Sequence, residues 1–241
     1  MRFRVRGEAR SASVRSAIEG CGGTWVEGED EEERVDFVVV RLVRYALPSS
    51  PLFLSLRSNT ARSGSKLFMD EADPALRPCY RTECWLEGCL SRERICSLEE
   101  HPTFSPIPHT IHLPSITLSP SGLDVAEDMW VKRLARALGN VAFLLRTSTR
   151  CFDNWTLEGM MHAPTFNRST THLLCPTATG AKYARARAWG TPVVDMRWLS
   201  HIARTGAPPS PDMFLVPDSR DAEMSDVMNR TRGVSRSSTS R

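Results

Sequence analysis

The segment 168–206 constrains the fold of this 241-residue chain more than any other segment does. Its apolar runs are short and are followed by helical patterns with clear ends. One helical pattern stops at Gly190, where glycine alone takes a left-handed backbone cheaply, and the next starts behind Asp195, a good N-cap. The predicted elements are a strand 171–175, a helix 180–189, a strand 192–194 and a helix 196–204. This order and spacing predict a parallel βαβ unit.

The first strand-to-helix turn of this unit is a predicted anion site. Thr179 is expected to cap the helix, and Lys182 lies in the first helical turn. Free backbone N–H groups and the positive end of the helix dipole meet there, which suits a phosphate. The turn lacks the Gly-Lys-Ser/Thr of a P-loop. It also has Ala181 where a cysteine-phosphatase loop after Cys175 would need an arginine.

The sequence T-H-L-L-C-P-T-A-T-G-A-K-Y, followed by G-T-P-V-V-D-M-R-W-L, resembles the second half of a BRCT domain. With R-T-E-C-W-L-E-G-C-L-S-R-E-R-I-C at 81–96, the chain is similar to the multi-BRCT replication-initiation and DNA-damage checkpoint scaffolds of fungi, the family of the topoisomerase II-binding protein. The resemblance covers 20–206. It implies an α/β fold of two tandem BRCT-like domains, each a small parallel sheet flanked by helices, and a nuclear phosphopeptide-binding scaffold of DNA replication and repair.

The resemblance also implies a set of phosphate-binding residues in the second domain. In the BRCT family, a Ser or Thr followed by Gly after the first strand supplies a hydroxyl and a backbone N–H. A lysine at the start of the second helix supplies the charge. These positions match Ser121, Gly122 and Lys182, and Thr179 adds a hydroxyl or capping donor. Ser119 is the alternative to Ser121, because Pro120 lengthens the turn.

The domain boundaries follow from the same patterns. We expect a degenerate BRCT-like domain over 1–98, a proline-rich linker over 99–114, a BRCT domain over 115–207 and a disordered tail over 208–241. The first domain is expected to be incomplete, because 46–78 has no steady period and predicts a disordered insertion where a second helix belongs. Lys66, behind Gly64 in this stretch, is not expected to bind phosphate.

One stretch of the second domain has no counterpart in the family pattern. The family pattern runs directly from Gly-Asn-Val to Ala-Pro-Thr-Phe, and deleting 142–162 from this chain restores it. The stretch is therefore either an inserted surface loop or a translated intron.

Several residues in the first 114 have a structural interpretation. Phe3 and Val5 alternate with arginines, which predicts an edge strand with one buried face. Trp85 is predicted to anchor the last helix of its domain in the core. No metal site is expected, because the spacings of Cys79, Cys84, Cys89 and Cys96 differ from those of zinc sites. His101, His109 and His112 are attributed to the polarity of the linker.

Composition narrows the function further. A net charge of +3 is too small to indicate a nucleic-acid binder by itself. Seven cysteines without a secretory signal indicate reduced intracellular thiols, and no run has the length of a membrane span. The leading hypothesis is a non-enzymatic scaffold without a cofactor, which binds phosphorylated replication or checkpoint proteins through Lys182 and its neighbours. The alternatives are a structural BRCT module without phosphate recognition, and binding of DNA ends or junctions.

Overall fold

The computed structural model describes residues 1–27, 34–42, 63–107, 111, 113–139 and 159–217. In the N-terminal half (1–107) these residues form the strands β1 (Arg2–Val5), β2 (Thr24–Val26), β3 (Phe37–Val40) and β4 (Tyr80–Thr82). In the C-terminal half (113–217) they form the strands β5 (Ser115–Pro120), β6 (Gly159–His162), β7 (His172–Leu174) and β8 (Val193–Val194). Each set makes one parallel sheet, in the orders β2-β1-β3-β4 and β6-β5-β7-β8.

Parallel neighbours need crossover connections, which are usually helical. The helices of the N-terminal half are α1 (Ala12–Gly20), α2 (Ser63–Met69) and α3 (Glu83–Ser91). Those of the C-terminal half are α4 (Val125–Leu138), α5 (Ala181–Trp189) and α6 (Met196–Thr205). The two halves thus repeat one arrangement of strands and helices. The predicted architecture of two small parallel sheets flanked by helices is confirmed.

The predicted βαβ unit is present as β7, α5, β8 and α6. Gly190 ends α5 with a φ of 68°, and the Asp195 side chain caps α6 by accepting a hydrogen bond from the Arg197 N–H. The prediction that Thr179 caps α5 is wrong by one residue. The N-cap is Gly180, whose φ of 93° is strained for any residue with a Cβ.

The prediction that the first strand lies at a sheet edge is wrong. β1 pairs with both β2 and β3, so it lies inside the sheet. Phe3 and Val5 are buried as expected, but Arg4 between them is buried as well. Helices cover both faces of a parallel sheet, so the alternation of side chains along β1 does not mark a solvent face.

The N-terminal half contains the helix that its sequence did not reveal, so the expectation of an incomplete first domain is corrected. α2 begins at Ser63, inside the stretch 46–78 that is predicted to be disordered; residues 46–62 of that stretch lie outside the described residues. A Cβ added to Gly64 would lie 2.0 Å from the Arg41 carbonyl oxygen, so this close approach requires glycine. Seven residues with two serines and this glycine carry too little helical pattern to recognise.

The predicted insertion 142–162 is also corrected in part. Its last four residues form β6, which pairs in parallel register with β5 from Ser115 opposite Gly159 to Leu118 opposite His162. The remaining part, 142–158, lies outside the described residues. The predicted disordered tail 208–241 is wrong at its start, because the Val216 N–H donates to the Val193 carbonyl at 3.0 Å and ties this segment to β8. From 218 onward the tail lies outside the described residues.

The two halves share one hydrophobic core. Buried side chains of β1, α3, α4 and α6 belong to a single cluster, which also includes Phe104 and Ile107 from the predicted linker. A Cβ added to Gly88 of α3 would lie 2.6 Å from the Phe104 ring. At the rim of this contact, Arg133 of α4 forms an ion pair with Glu87 of α3 at 2.8 Å. The described part of the linker is therefore a packed element.

His101 is a buried component of this junction, and its attribution to linker polarity is wrong. Its ring packs against Phe104 and Trp130, with centroid distances of 5.6 and 5.2 Å. Its Nδ1 accepts a hydrogen bond from the Thr103 N–H at 3.2 Å, so the proton of the neutral ring is on Nε2. His109 and His112 lie outside the described residues.

The stability of the chain should fall on mild acidification because of His101. Burial lowers the pKa of the His101 ring to about 4, below that of an exposed histidine. The folded state therefore binds fewer protons than the unfolded state between about pH 6.5 and pH 4, and unfolding becomes easier as the pH falls through this window. We expect a loss on the order of 2–3 kcal/mol in the free energy of unfolding.

Denaturant unfolding between pH 7 and pH 4.5, for the natural chain and for His101→Asn, measures this contribution. Asparagine can still accept from the Thr103 N–H but does not titrate, so its stability should depend less on pH. Equal pH slopes for the two proteins would contradict the prediction.

Three cysteines of α3 and the segment after it lie in the core. Cys84, Cys89 and Cys96 are buried, and burial raises the pKa of the Cys84 thiol to about 12. Within the described ranges, no group of three or more His, Cys, Asp or Glu side chains is arranged to hold a metal ion. No helix in these ranges combines the length and apolarity that a bilayer crossing requires.

Candidate functional site

The candidate site begins at the bend that follows β5. The Ser121 N–H donates a hydrogen bond to the Leu174 carbonyl at 2.8 Å, which fixes the bend against the end of β7. Gly122 has a φ of 72°, a left-handed conformation that favours glycine. A Cβ on Gly122 would meet Pro176 only at 3.7 Å, so the backbone conformation, and not crowding, favours glycine there.

Lys182 of α5 extends to this bend. Its Nζ donates hydrogen bonds to the carbonyl oxygens of Pro120, at 2.7 Å, and of Pro164, at 2.8 Å. Pro120 directly precedes Ser121, so the ammonium group lies beside the bend. An ammonium group has three N–H donors, and the described part of the chain engages two of them. The third is left for an acceptor at the site.

Other donors surround this ammonium group. The Ser121 hydroxyl and the Gly122 N–H have no hydrogen-bond partner among the described residues. The first turn of α5 has no acidic residue and no side-chain cap, so its backbone N–H groups are available to an anion. The structure thus brings together Lys182, Ser121 and Gly122, which the family resemblance implies as phosphate ligands.

Thr179 and Ser119 occupy different positions relative to the bend. Thr179 lies exposed in the loop before α5, and its hydroxyl is 3.1 Å from the hydroxyl of Thr177. Ser119 lies inside β5 and is fully buried, so a ligand from solvent cannot reach it. Between the two serines considered at this bend, the geometry favours Ser121.

The N-terminal half has an equivalent bend that its own side chains close. The Arg6 N–H donates to the Val39 carbonyl at 2.9 Å, as Ser121 does to Leu174, and Gly7 follows with a φ of 59°. The Arg6 guanidinium binds Glu71 at 2.6 Å and the Tyr80 hydroxyl at 2.7 Å. Burial, and the hydrogen bond to Glu71, raise the pKa of Tyr80 to about 12. At this bend an internal carboxylate pairs with the cation.

A small cavity lies beside the open bend. Its volume is about 130 Å³, and its apolar walls include Leu123, Pro176 and Met196 of the C-terminal half. Glu100 and His101 contribute from the junction between the halves. Leu123 follows the bend and Pro176 contacts it, so a peptide bound at the bend would pass this cavity.

Two features around the site were not predicted from the sequence. One is the pair of proline carbonyls that hold the Lys182 ammonium group, which no side-chain pattern signals because they are backbone atoms. The other is Arg168, whose guanidinium carbon lies 4.3 Å from the centre of the Trp189 ring. The lack of acidic residues around Arg168 could have drawn attention to it.

Comparisons with known proteins agree with this fold. A family model described as a twin BRCT domain matches residues 158–198, from the start of β6 into α6. The structure of S. pombe Rad4 BRCT3,4 matches with a TM-score of 0.53 and 17% identity, over 90% of this chain and 97% of that chain. Yeast Rtt107 matches with a TM-score of 0.49 and 14% identity, over 91% of this chain and 43% of that chain.

A further match is Rad4 BRCT1,2 in complex with a Crb2 phosphopeptide. Its TM-score is 0.32 and its identity 13%, over 89% of this chain and 96% of that chain. At such identities these likenesses concern the fold, which the match to Rad4 BRCT3,4 identifies.

Proposed function

The chain carries two BRCT folds in tandem, and from this premise we propose that it is a non-enzymatic scaffold that binds phosphorylated proteins. Tandem BRCT folds are in general interaction modules without enzymatic activity. We place the phosphate at the bend of the C-terminal half. The supporting observation is the position of the Lys182 ammonium group, held beside Ser121 and Gly122 by two carbonyl oxygens.

This geometry suits a phosphate dianion for three reasons. The lysine supplies a full positive charge, and no carboxylate of the described residues forms an ion pair with it. The Ser121 hydroxyl and the Gly122 N–H supply neutral donors. Hydrogen bonds to a charged group contribute about 1.5–3 kcal/mol each, so two or three of them, with flanking peptide contacts, give micromolar binding.

The site is assigned to one half only. In the N-terminal half, Glu71 already pairs with the cation at the equivalent bend, and a phosphate there would be repelled by this carboxylate. The cavity lined by Leu123 and His101 lies at the junction, so both halves would contact the peptide that the C-terminal half anchors.

The cellular role follows from the resemblance to fungal multi-BRCT scaffolds. We propose that the partners are phosphorylated replication or checkpoint proteins and that the chain acts in the nucleus, in replication initiation or DNA-damage signalling. Asp195 caps α6 and forms an ion pair with Arg197. Its engagement supports a structural role for this residue.

The test is a binding screen of the full chain against a phosphoserine and phosphothreonine peptide library, with the unphosphorylated library in parallel. We expect binding that depends on the phosphate and that phenyl phosphate inhibits competitively at millimolar concentration. Equal signals from both libraries would instead favour the structural-module alternative. Binding of duplex DNA with steep salt dependence, and of no phosphopeptide, would favour the DNA alternative.

A further inference from the structure

The C-terminal half has an unbalanced charge around the candidate site. The segment from Gly159 to Val194 contains four lysine or arginine residues and no aspartate or glutamate. The whole chain has a net charge of only +3, so this cationic character is local. It includes α5 and the loop between β6 and β7, the two elements that the Lys182 ammonium group connects.

Three of these cations lie on one side of the domain. Lys182, Arg185 and Trp189 are spaced by three and four residues, so they share one face of α5. The guanidinium carbons of Arg185 and Arg168 lie 5.8 and 4.3 Å from the centre of the Trp189 ring. We call Lys182, Arg185 and Arg168 the basic face. The fourth cation, Arg187, lies on another side of α5.

The Trp189 ring, on which both arginines pack, is held in place by the domain. The Trp189 ring stacks on Phe166 with a centroid distance of 5.2 Å. Arg168 lies in a tight turn, in which the Thr170 N–H donates to the Asn167 carbonyl at 3.0 Å. An arginine that packs on a fixed ring has less freedom to lose on binding, so its contact with an anion retains more of its energy.

No carboxylate among the described residues forms an ion pair with any of the three cations. Their neighbours there are the Trp189 ring for the two arginines and carbonyl oxygens for Lys182. Like charges grouped on one surface raise the local potential and attract an anionic partner. The face begins at the proposed phosphate position, so it would act on the same partner segment.

We infer that the basic face binds aspartate or glutamate side chains that flank the phosphorylated residue of the partner. This inference rests on the proposed function, because Lys182 belongs both to the phosphate site and to the face. From Lys182 to Trp189 the helix rises by about 10 Å, the length of about three extended residues. The acidic residues therefore lie within about four positions of the phosphorylated residue, on one side of it.

The experiment selects peptides from an oriented library with a fixed phosphoserine and random flanks, and in parallel from the same library with an unmodified serine. The proteins are the natural chain, the double variant Arg168→Gln/Arg185→Gln, and Arg187→Gln as a control on the same helix. Glutamine keeps much of the aliphatic packing against Trp189 but removes the charge. Thermal unfolding of all three verifies that they are folded. The best peptide is then measured with its acidic flank intact and with that flank changed to Gln or Asn.

The natural chain and Arg187→Gln should enrich acidic residues on one side of the phosphoserine. Changing the flank should weaken binding roughly five- to tenfold at low salt, and less at high salt. In the double variant this difference should disappear. Phosphate-dependent selection without acidic enrichment, or with enrichment that the double variant retains, would overturn the inference and leave the proposed function intact. Absence of any phosphate-dependent selection would overturn both.

Discussion

Changing Lys182 to glutamate is expected to weaken phosphopeptide binding by about 100-fold or more. The change removes the charge-assisted hydrogen bonds of the ammonium group and places a carboxylate next to a phosphate dianion. Each charge-assisted hydrogen bond contributes about 1.5–3 kcal/mol, and every 1.4 kcal/mol is a tenfold change in affinity. Fluorescence anisotropy with the best labelled peptide from the library measures the effect.

Two further variants separate charge from structure in this test. Lys132→Glu makes the same charge change on the exposed side of α4 and should bind within about twofold of the natural chain. Lys182→Met loses the hydrogen bonds to Pro120 and Pro164 without adding a negative charge, and it should bind weakly but less so than Lys182→Glu. Unaltered binding by a folded Lys182→Glu protein would remove the phosphate site from this bend.

Changing Trp85 to alanine is expected to destabilise the chain by about 3–5 kcal/mol. The indole is fully buried, and its Nε1–H donates to the Cys96 carbonyl at 2.9 Å. Its ring also lies 4.7 Å from that of Phe37. The substitution would leave a cavity in the shared core and the Cys96 carbonyl without its donor. Urea unfolding of the full chain, monitored by far-UV circular dichroism, measures the loss.

Trp25 provides a matched control for this substitution. It lies half-exposed on β2, so Trp25→Ala should cost clearly less than Trp85→Ala. Because α4 and α6 share a core cluster with Trp85, Trp85→Ala should also lower the protection of their backbone N–H groups against amide exchange. If exchange in these helices were unaffected, the halves would unfold independently.

Elements with complete local signals were predictable from the sequence. The unit of β7, α5, β8 and α6 was recognised because Gly190 and Asp195 mark its helix ends. The sequence did not predict elements whose structure depends on contacts with residues distant in the chain. β6 is a strand because it pairs with β5, and its residues Gly-Met-Met-His show no alternation. Phe104 is a core residue because α3 and α4 enclose it, whereas its neighbours in sequence suggested an extended linker.

The candidate site was also predicted only in part. Ser121, Gly122 and Lys182 were named from family positions, and the structure brings them together. Thr179 is not the N-cap of α5. That position is Gly180, whose φ of 93° favours glycine. The carbonyl oxygens that orient the lysine belong to backbone turns, and a sequence pattern of side chains carries no information on their direction.

The closed bend of the N-terminal half has a consequence for how a repeated fold can specialise. Both halves have the left-handed glycine and the hydrogen bond at the strand end. In the N-terminal half, the Glu71 carboxylate pairs with Arg6 and takes the place of an external anion. A domain that supplies its own counter-ion does not need to bind phosphate and can evolve to support the other domain. We expect a stoichiometry of one phosphorylated segment per chain, even for partners phosphorylated at neighbouring positions.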